Sequence, residues 1–433
     1  MKGLMIAAPQ SGSGKTTVTL GLLRALRRNG IALAPAKAGP DYIDPAFHTV
    51  AAGAPCLNFD PWAMRADLLR ANASLVAGNE RTLVVEAMMG LFDAAADGKG
   101  SSADLGRLLG LPVVLVIDCA RLSHSVAPLA RGFFDFAPDV YVAGVILNRV
   151  GSTRHAAMLS AALADCNITV YGSLPHNPDL TVPERHLGLV QAQENDALET
   201  FIEAAADHVA AHLDMAALTR LARHGMAFEV PANILRLPPL GQHIAVARDK
   251  AFSFIYEHLL FGWRRRGATI SFFSPLADEG PDLSADAVFL PGGYPELHAG
   301  RIAAAQGFRD GMAAAIDRGA MVYGECGGYM VLGDVLVDAA HVEHAMLGVL
   351  PVTTSFAQRQ RHLGYRRLTP CNGFIWDSPL TGHEFHYSSV VRESAADPLF
   401  MVTDARGTDL GAAGQRRGRV AGSYMHIIDI AGE

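Results

Sequence analysis

Cysteine is scarce in this 433-residue chain: Cys56, Cys119, Cys166, Cys326 and Cys371 are odd in number, scattered and without CxxC spacing. That argues against a disulfide framework and a zinc site and suits a reducing cytoplasm, the expected location. An excess of basic charge is also lacking. The 36 Lys and Arg against 43 Asp and Glu give a formal charge of −7. No nucleic-acid footprint is expected, and an anionic substrate would need a locally basic pocket. No apolar run is long enough to cross a membrane: the most apolar stretch, residues 111–120, is half a bilayer span and contains Asp118. The opening MKGLMIAAPQ is too short for a signal sequence and runs directly into a glycine loop. What is there is an ordinary globular composition, 50% hydrophobic and 18% charged. The chain is long enough for two or three domains.

Short β-branched runs at residues 4–8, 31–37, 83–86, 113–117, 140–147 and 168–172 read as strands buried on both faces. They alternate with helical spacing at 17–28 and 156–165, the pattern of a parallel sheet covered by helices. Residues 195–223 read as helix. A segment with three prolines, EVPANILRLPPLG (229–241), then interrupts the periodicity, and a second α/β series follows with strands at 244–247, 269–273, 288–290 and 321–323. The expected division is a domain at 1–226, a linker at 227–241 and a domain at 242–433.

APQSGSGKTT (8–17) follows the first strand and opens a helix, the setting a phosphate-binding loop needs. Gly12, Ser13 and Gly14 would turn backbone N–H groups toward a polyphosphate, with Lys15 on its outer phosphates and Thr16, followed by Thr17, supplying a hydroxyl for Mg²⁺. Pro9 stands where the full Walker pattern has glycine. KAGPDYIDPAFH (37–48) forms the loop after the second strand, where open α/β sheets bind ligands. Lys37 could neutralise phosphate oxygens, and Asp41 and Asp44 could hold metal or substrate, or serve only as turn formers. Glu86 closes the third run before AMMGLFD and suits a second metal ligand. Asn148, in LNRVGS, could read a nucleotide base or simply shape a turn. PERHLGLV (183–190) is a charged loop patch or a solvated surface.

In the second half, YGECGGYM (323–330) sets Cys326 among small residues between a strand and a helix. That is the arrangement of a protruding nucleophile, with the helix start expected to lower the thiol pKa. Gly292 and Gly293 of LPGGYPELHA offer backbone N–H groups for an oxyanion hole. His426 is the best candidate base, with His383 and His386 of GHEFHYS as rivals.

These motifs, with AVARDKAFSF and HLGYR, occur in one order along nearly the whole chain. In that order the chain resembles the cobyrinic and hydrogenobyrinic acid a,c-diamide synthases of corrinoid biosynthesis. The resemblance implies a dethiobiotin synthetase-like P-loop domain followed by a class I glutamine amidotransferase domain of flavodoxin-like α/β fold. It implies ATP and Mg²⁺ as cofactors and L-glutamine and a corrin polycarboxylate as substrates. No nucleic-acid or membrane partner follows from it, and a homodimer is left open. Carried over by motif, Gly12, Gly14, Lys15, Thr16 and Glu86 serve nucleotide and metal. Lys37, Asp41, Tyr42, Asp44 and Asp93 would lie near ATP, metal or the corrin carboxylates, and Arg185 and His186 would meet the polycarboxylate. Cys326 would release ammonia with His426 as acid and base. Class I amidotransferases generally place a glutamate two residues after that histidine, but here the position is Ile428. A Cys–His dyad is therefore implied, with Asp429 or Glu384 as candidates to orient the imidazole. Ala87 stands where the family often has glycine. The segment FGWRRRGATISFFSPLADEGP (261–281) looks closer to enzymes acting on the metal-free macrocycle. The nearest rivals are members of the same superfamily, cobyric acid synthase and nickel-sirohydrochlorin a,c-diamide synthase, and the rival from another class is a partner-binding P-loop ATPase with a degenerate second half. Gln10, where partition ATPases usually carry lysine, and the presence of both Cys326 and His426 weigh against it.

Overall fold

The computed structural model describes residues 2–78, 80–180, 197–223, 233–371 and 374–432. In the N-terminal half the apolar runs form strands with both faces covered: five of the six residues of the first are buried, and all six of the second. The strands are β1 (Lys2–Ala7), β2 (Leu33–Ala38), β3 (Leu57–Phe59), β4 (Thr82–Glu86), β5 (Val113–Asp118), β6 (Val142–Val150) and β7 (Val170–Pro175). They pair in the order 3-2-4-1-5-6-7, all parallel. The order reverses at β1, which opens a crevice beyond its carboxyl end, where such sheets bind ligands. The three-residue edge strand β3 is too short to announce itself by periodicity.

Helix Lys15–Arg28 covers the sheet, with Leu20, Leu22, Leu23 and Leu26 buried in one core with Ile202 and Val209. Arg27 and Arg28 in its last turn complement the helix dipole. The helix expected over 195–223 is two helices within the described residues, Leu198–His212 and Met215–Leu221. Leu213 is extended and the Asp214 carboxylate accepts from Ala217 N at 2.8 Å. A local N-cap therefore restarts the helix, a break that composition alone does not reveal.

The chain divides into two compact units, Met1–Trp62 with Ala66–Ile234 and Ala63–Arg65 with Leu235–Glu433. In the second unit the first strands are β8 (His243–Ala247), β9 (Thr269–Phe273), β10 (Ala287–Leu290), β11 (Met321–Glu325), β12 (Val335–Val337), β13 (Glu343–Ala345) and β14 (Val352–Ser355). They are followed by β15 (His362–Pro370), β16 (Leu380–His386), β17 (Ser389–Glu393), β18 (Asp397–Asp404), β19 (Asp409–Arg417), β20 (Val420–Ser423) and β21 (Met425–Ile430). Strands β9-β8-β10-β11-β20 are parallel neighbours over a core that includes Phe308, Val322 and Leu332. From β20 the same sheet continues antiparallel through β19, β18, β15 and β16 to β21. Strands β20 and β21 stand at opposite ends of that arc, yet only Tyr424 separates them along the chain. The arc must therefore curl until its ends meet, and this return carries His426 back to the end of β11. Both units are α/β, the first with its parallel sheet following a P-loop pattern. Among the described residues no helix is long and apolar enough to cross a membrane.

Candidate functional sites

At the carboxyl ends of β1, β2, β4 and β6 the first unit holds a cavity of about 490 Å³. Gly12, Gly14, Lys15, Thr16, Thr17, Lys37, Asp41, Asp44, Glu86 and Asn148 all line it. Ser13, Tyr42 and Asp93 do not. The Ser13 hydroxyl instead donates to Gln10 O at 2.9 Å, and Asp93 Oδ2 accepts from Gly90 N at 2.7 Å. Arg185 and His186 lie outside the described residues.

The loop is shaped by its neighbours. Gly14 sits at φ 86°, and a Cβ there would collide with the Asn148 amide. That amide donates to Ser13 O at 2.9 Å, so Asn148 braces the phosphate loop in this structure. Arg149 Nη1 bonds Gly12 O at 2.9 Å and Asp118 Oδ2 at 2.6 Å. Lys15 Nζ donates to Met89 O at 2.6 Å. Burial lowers the Lys15 pKa, with Glu86 opposing the shift and Lys37 adding to it.

Glu86, at the end of β4, is the hub. Its Oε1 accepts from Thr16 Oγ1 and from Lys37 Nζ, both at 2.8 Å, and its Oε2 meets His48 Nε2 at 2.7 Å. Lys37 Nζ also lies 2.5 Å from Asp44 Oδ2 and 4.0 Å from Asp41 Oδ2. Against the cost of burial, Asp44, Glu86 and Asp41 hold the Lys37 ammonium well above its ordinary pKa. Likewise Lys37 and His48 hold the Glu86 carboxyl well below the usual carboxylate range, again against burial. Burial and the neighbouring Asp44 push Asp41 up to about 6, with Lys37 opposing them. His48 lies inside a motif of the sequence but carried no assigned role. Its place four residues after Asp44, on helix Asp44–Ala52, was the available signal. The cavity is also lined by Leu174, Pro175, His176 and His208, which no motif marked.

In the second unit β11 delivers Cys326 at φ 47° and ψ −102°, left-handed for a residue with a side chain and costing about 1–3 kcal/mol. Its N–H donates to Ser423 O at 2.8 Å, and helix Gly327–Leu332 starts immediately after it. A Cβ built on Gly292 would collide with His426 Cε1 and stand 3.3 Å from both Cys326 Cβ and His426 Nε2. The sulfur-bearing residue and the Nε2 edge of the imidazole therefore meet over Gly292. Gly293 N lies 3.0 Å from where a Gly327 Cβ would be, so Gly292 borders Cys326 and Gly293 borders the residue after it.

The expected lowering of the thiol pKa is not what the structure gives. Burial, with Glu296 beside it, pushes Cys326 up, and the Gly327 N–H only partly opposes this. A thiol so placed is protonated at rest, and to act as a nucleophile it would need a base. Burial, then His383 and His386, pushes His426 down to about 3, so it is neutral and able to accept a proton.

Of the two rival histidines, His386 alone has both ring nitrogens engaged. His386 bonds Ser388 O through Nδ1 and Glu384 Oε1 through Nε2, each at 2.9 Å, and stacks on Tyr424 with centroids 3.7 Å apart. His383 pairs across the strands with His426 and packs edge-on against Tyr365. The two acids considered for orienting His426 are held by arginines. Asp429 Oδ2 accepts from Arg65 N and Nε, both at 3.0 Å, and Glu384 Oε2 accepts from Arg366 at 2.8 Å. Despite burial, His386 and Arg366 keep Glu384 at about 2. Glu325 Oε2 lies 3.7 Å from His426 Nδ1, and no reading of the sequence marks it, because a residue adjacent to Cys326 reads as part of its turn.

Residues 4–190 match the CobQ/CobB/MinD/ParA nucleotide binding domain, and residues 243–431 match the CobB/CobQ-like glutamine amidotransferase domain. The chain is 63% identical over 432 residues to a Sinorhizobium protein named hydrogenobyrinate a,c-diamide synthase, covering 100% of each. A Brucella abortus protein of that name is 63% identical over 434 residues, again covering 100% of both chains. One from Rhodobacter capsulatus is 52% identical over 99% of this chain and 98% of its own. With full-length identity of this order and both domains matched, the chain belongs to the hydrogenobyrinate a,c-diamide synthase family.

Proposed function

We propose that the chain uses ATP and glutamine to convert the a and c acetate carboxylates of hydrogenobyrinic acid to amides. The observation that carries this reading is the 63% identity over the whole of both chains to synthases of that name. The gathered P-loop cavity and the Cys326–Gly292–His426 cluster support it, since each suits one half-reaction.

In the first unit an acetate oxygen attacks the γ-phosphorus of ATP, forming an acyl phosphate and releasing ADP. Lys15 and the N–H groups of the loop hold the phosphates and offset charge building on the transferred group. Three carboxylates, Asp41, Asp44 and Glu86, gather around the single ammonium of Lys37, an excess of hard oxygen donors that fits a divalent cation. Thr16, Glu86 and Asp44 would hold Mg²⁺, which when bound neutralises phosphate oxygens. Glu86 also keeps the Thr16 hydroxyl oriented, and Lys37 limits repulsion among the acids.

In the second unit His426 Nε2 takes the Cys326 proton as sulfur attacks the glutamine amide carbon. The oxyanion lies against the backbone at Gly292 and Gly293. His426 then returns the proton to nitrogen, ammonia leaves, and water hydrolyses the thioester to glutamate. Ammonia displaces phosphate from the acyl phosphate to give the amide. This reading places the reaction in the cytoplasm, where ATP and glutamine are both at hand.

The test is incubation with ATP, Mg²⁺, glutamine and either hydrogenobyrinic or cobyrinic acid, read by product mass. A diamide formed from the metal-free acid is the expected result. A diamide only from the cobalt-containing acid would overturn the substrate, and no amide from either would overturn the reading.

A further inference from the structure

Class I amidotransferases carry their third residue two positions after the histidine, and in this chain that position is Ile428, buried at 1% exposure. An aliphatic side chain there offers the imidazole no carboxylate. A carboxylate reaches it from another direction. Glu325, last residue of β11, places Oε2 3.7 Å from His426 Nδ1. We propose that Glu325 is the positioning residue of the glutamine site, holding His426 in the Nδ1–H tautomer and stabilising the imidazolium formed when Nε2 accepts the Cys326 proton. This rests on the glutaminase reading of the second unit and adds to it a residue that the sequence comparison with class I enzymes leaves blank.

Several observations converge. Glu325 is 2% exposed, and its Oε1 accepts from Ile427 N at 3.0 Å, which ties its carboxylate to the residue following His426. The Tyr323 hydroxyl, on the same strand, also faces it. Among the described residues no Lys or Arg lies within ion-pair distance of Glu325, whereas Asp429 and Glu384 each have an arginine. A buried carboxylate without a cationic partner costs several kcal/mol, and the group facing this one that becomes a cation on taking the thiol proton is His426. Burial pushes the Glu325 carboxyl up to about 8 and the His426 imidazole down to about 3. Each charge alone is penalised by the same apolar surroundings, and forming both together across one short gap relieves both. The other groups facing the imidazole are His383, His386 and Glu384, all on β16. The two histidines oppose its charging. Glu384 favours it but is already shared by Arg366 and His386.

The geometry also sorts the two ring nitrogens. Nε2 lies on the Gly292 and Cys326 side, and Nδ1 on the Glu325 side. An ionised Glu325, on closing the 3.7 Å gap, would accept from Nδ1–H and leave the Nε2 lone pair toward the thiol. A protonated Glu325 would donate to Nδ1 and put the ring proton on the wrong nitrogen.

The experiment compares full-length wild type with Glu325→Gln and Glu325→Asp. Three readouts are taken: glutamine hydrolysis over pH 6–9, KM for glutamine, and amidation driven by ammonium salt. Glu325→Gln is expected to lower kcat for glutamine about 10²-fold with KM nearly unchanged. It should abolish the rise of rate with pH that accompanies ionisation of the carboxyl, and leave ammonia-driven amidation intact. Glu325→Asp, which keeps the charge on a shorter arm, is expected to lose less and to keep the rising limb. An unchanged kcat and pH profile in Glu325→Gln would overturn the proposal. So would equal loss with glutamine and with ammonia, or equal loss in both variants, either of which marks a purely structural role. A wild type that hydrolyses no glutamine overturns the glutaminase reading and this inference with it, whereas an active wild type beside an unaffected Glu325→Gln overturns this inference alone.

Discussion

The hydroxyl of Thr16 donates to Glu86 Oε1 at 2.8 Å, joining the phosphate loop to the end of β4 across 70 residues of chain. The bond aims the hydroxyl oxygen while Lys37 and His48 occupy the rest of the carboxylate. Glu86→Gln keeps the shape but removes the charge those two groups face. Amidation with glutamine or with ammonium salt should fall about 10²-fold, because the nucleotide half serves both donors. The variant should also lose about 3 kcal/mol of stability, since it leaves Lys37 buried with weaker compensation. Steady-state rates with each donor and a denaturant titration check both parts.

Cys326→Ser places a hydroxyl where the thiol stood, without adding volume. Glutamine-driven amidation is expected to disappear, and amidation with ammonium salt to persist at a rate close to wild type. Equal loss with both donors would contradict a division of labour between the two halves.

Gly292→Ala adds one methyl where His426 Cε1 already is, with Cys326 Cβ and His426 Nε2 3.3 Å away. The imidazole must shift, and small displacements at a reacting pair cost heavily. Glutamine hydrolysis should fall by about 10²-fold and stability by about 1–3 kcal/mol. Ammonia-driven amidation should survive. The discriminating measurement is the ratio of the two rates.

His258 lies outside the chemistry but is buried, only 3% exposed. Its Nε2–H donates to Ile428 O at 2.9 Å, and burial pushes its pKa down to about 4. An unfolded histidine titrates near about 6.5, so between those values the unfolded chain binds the extra proton. The neutral ring therefore contributes stability that is full above pH ~6.5 and lost as pH falls toward ~4, about 3 kcal/mol in all. His258→Gln, which can still donate to Ile428 O, should reduce the slope of unfolding free energy against pH by about one proton over that window. Denaturant titrations at several pH values would read it.

The sequence alone determined the features whose cause is local. A glycine-rich turn between a buried strand and a helix is written in consecutive residues, as in APQSGSGKTT, and so is the small-residue setting of Cys326. Runs buried on both faces announced the parallel sheet, because such strands must be apolar throughout. Tertiary structure decided what depends on register and on returns of the chain. Nothing in the spacing of Lys37, Asp44, His48 and Glu86 says that one ammonium and one imidazole would meet the acids. That follows from β2 and β4 pairing in parallel, with Lys37 opposite Glu86. The antiparallel arc after β14 was likewise invisible in short, mixed strands. Its closure through Tyr424 is what brings His426 to Cys326. The acid nearest that histidine could not be read from distance along the chain, since Glu325 and His426 are 101 positions apart while Asp429, three positions away, turns to Arg65. A side chain's partner is set by which face of which strand it leaves, and only the folded sheet fixes that.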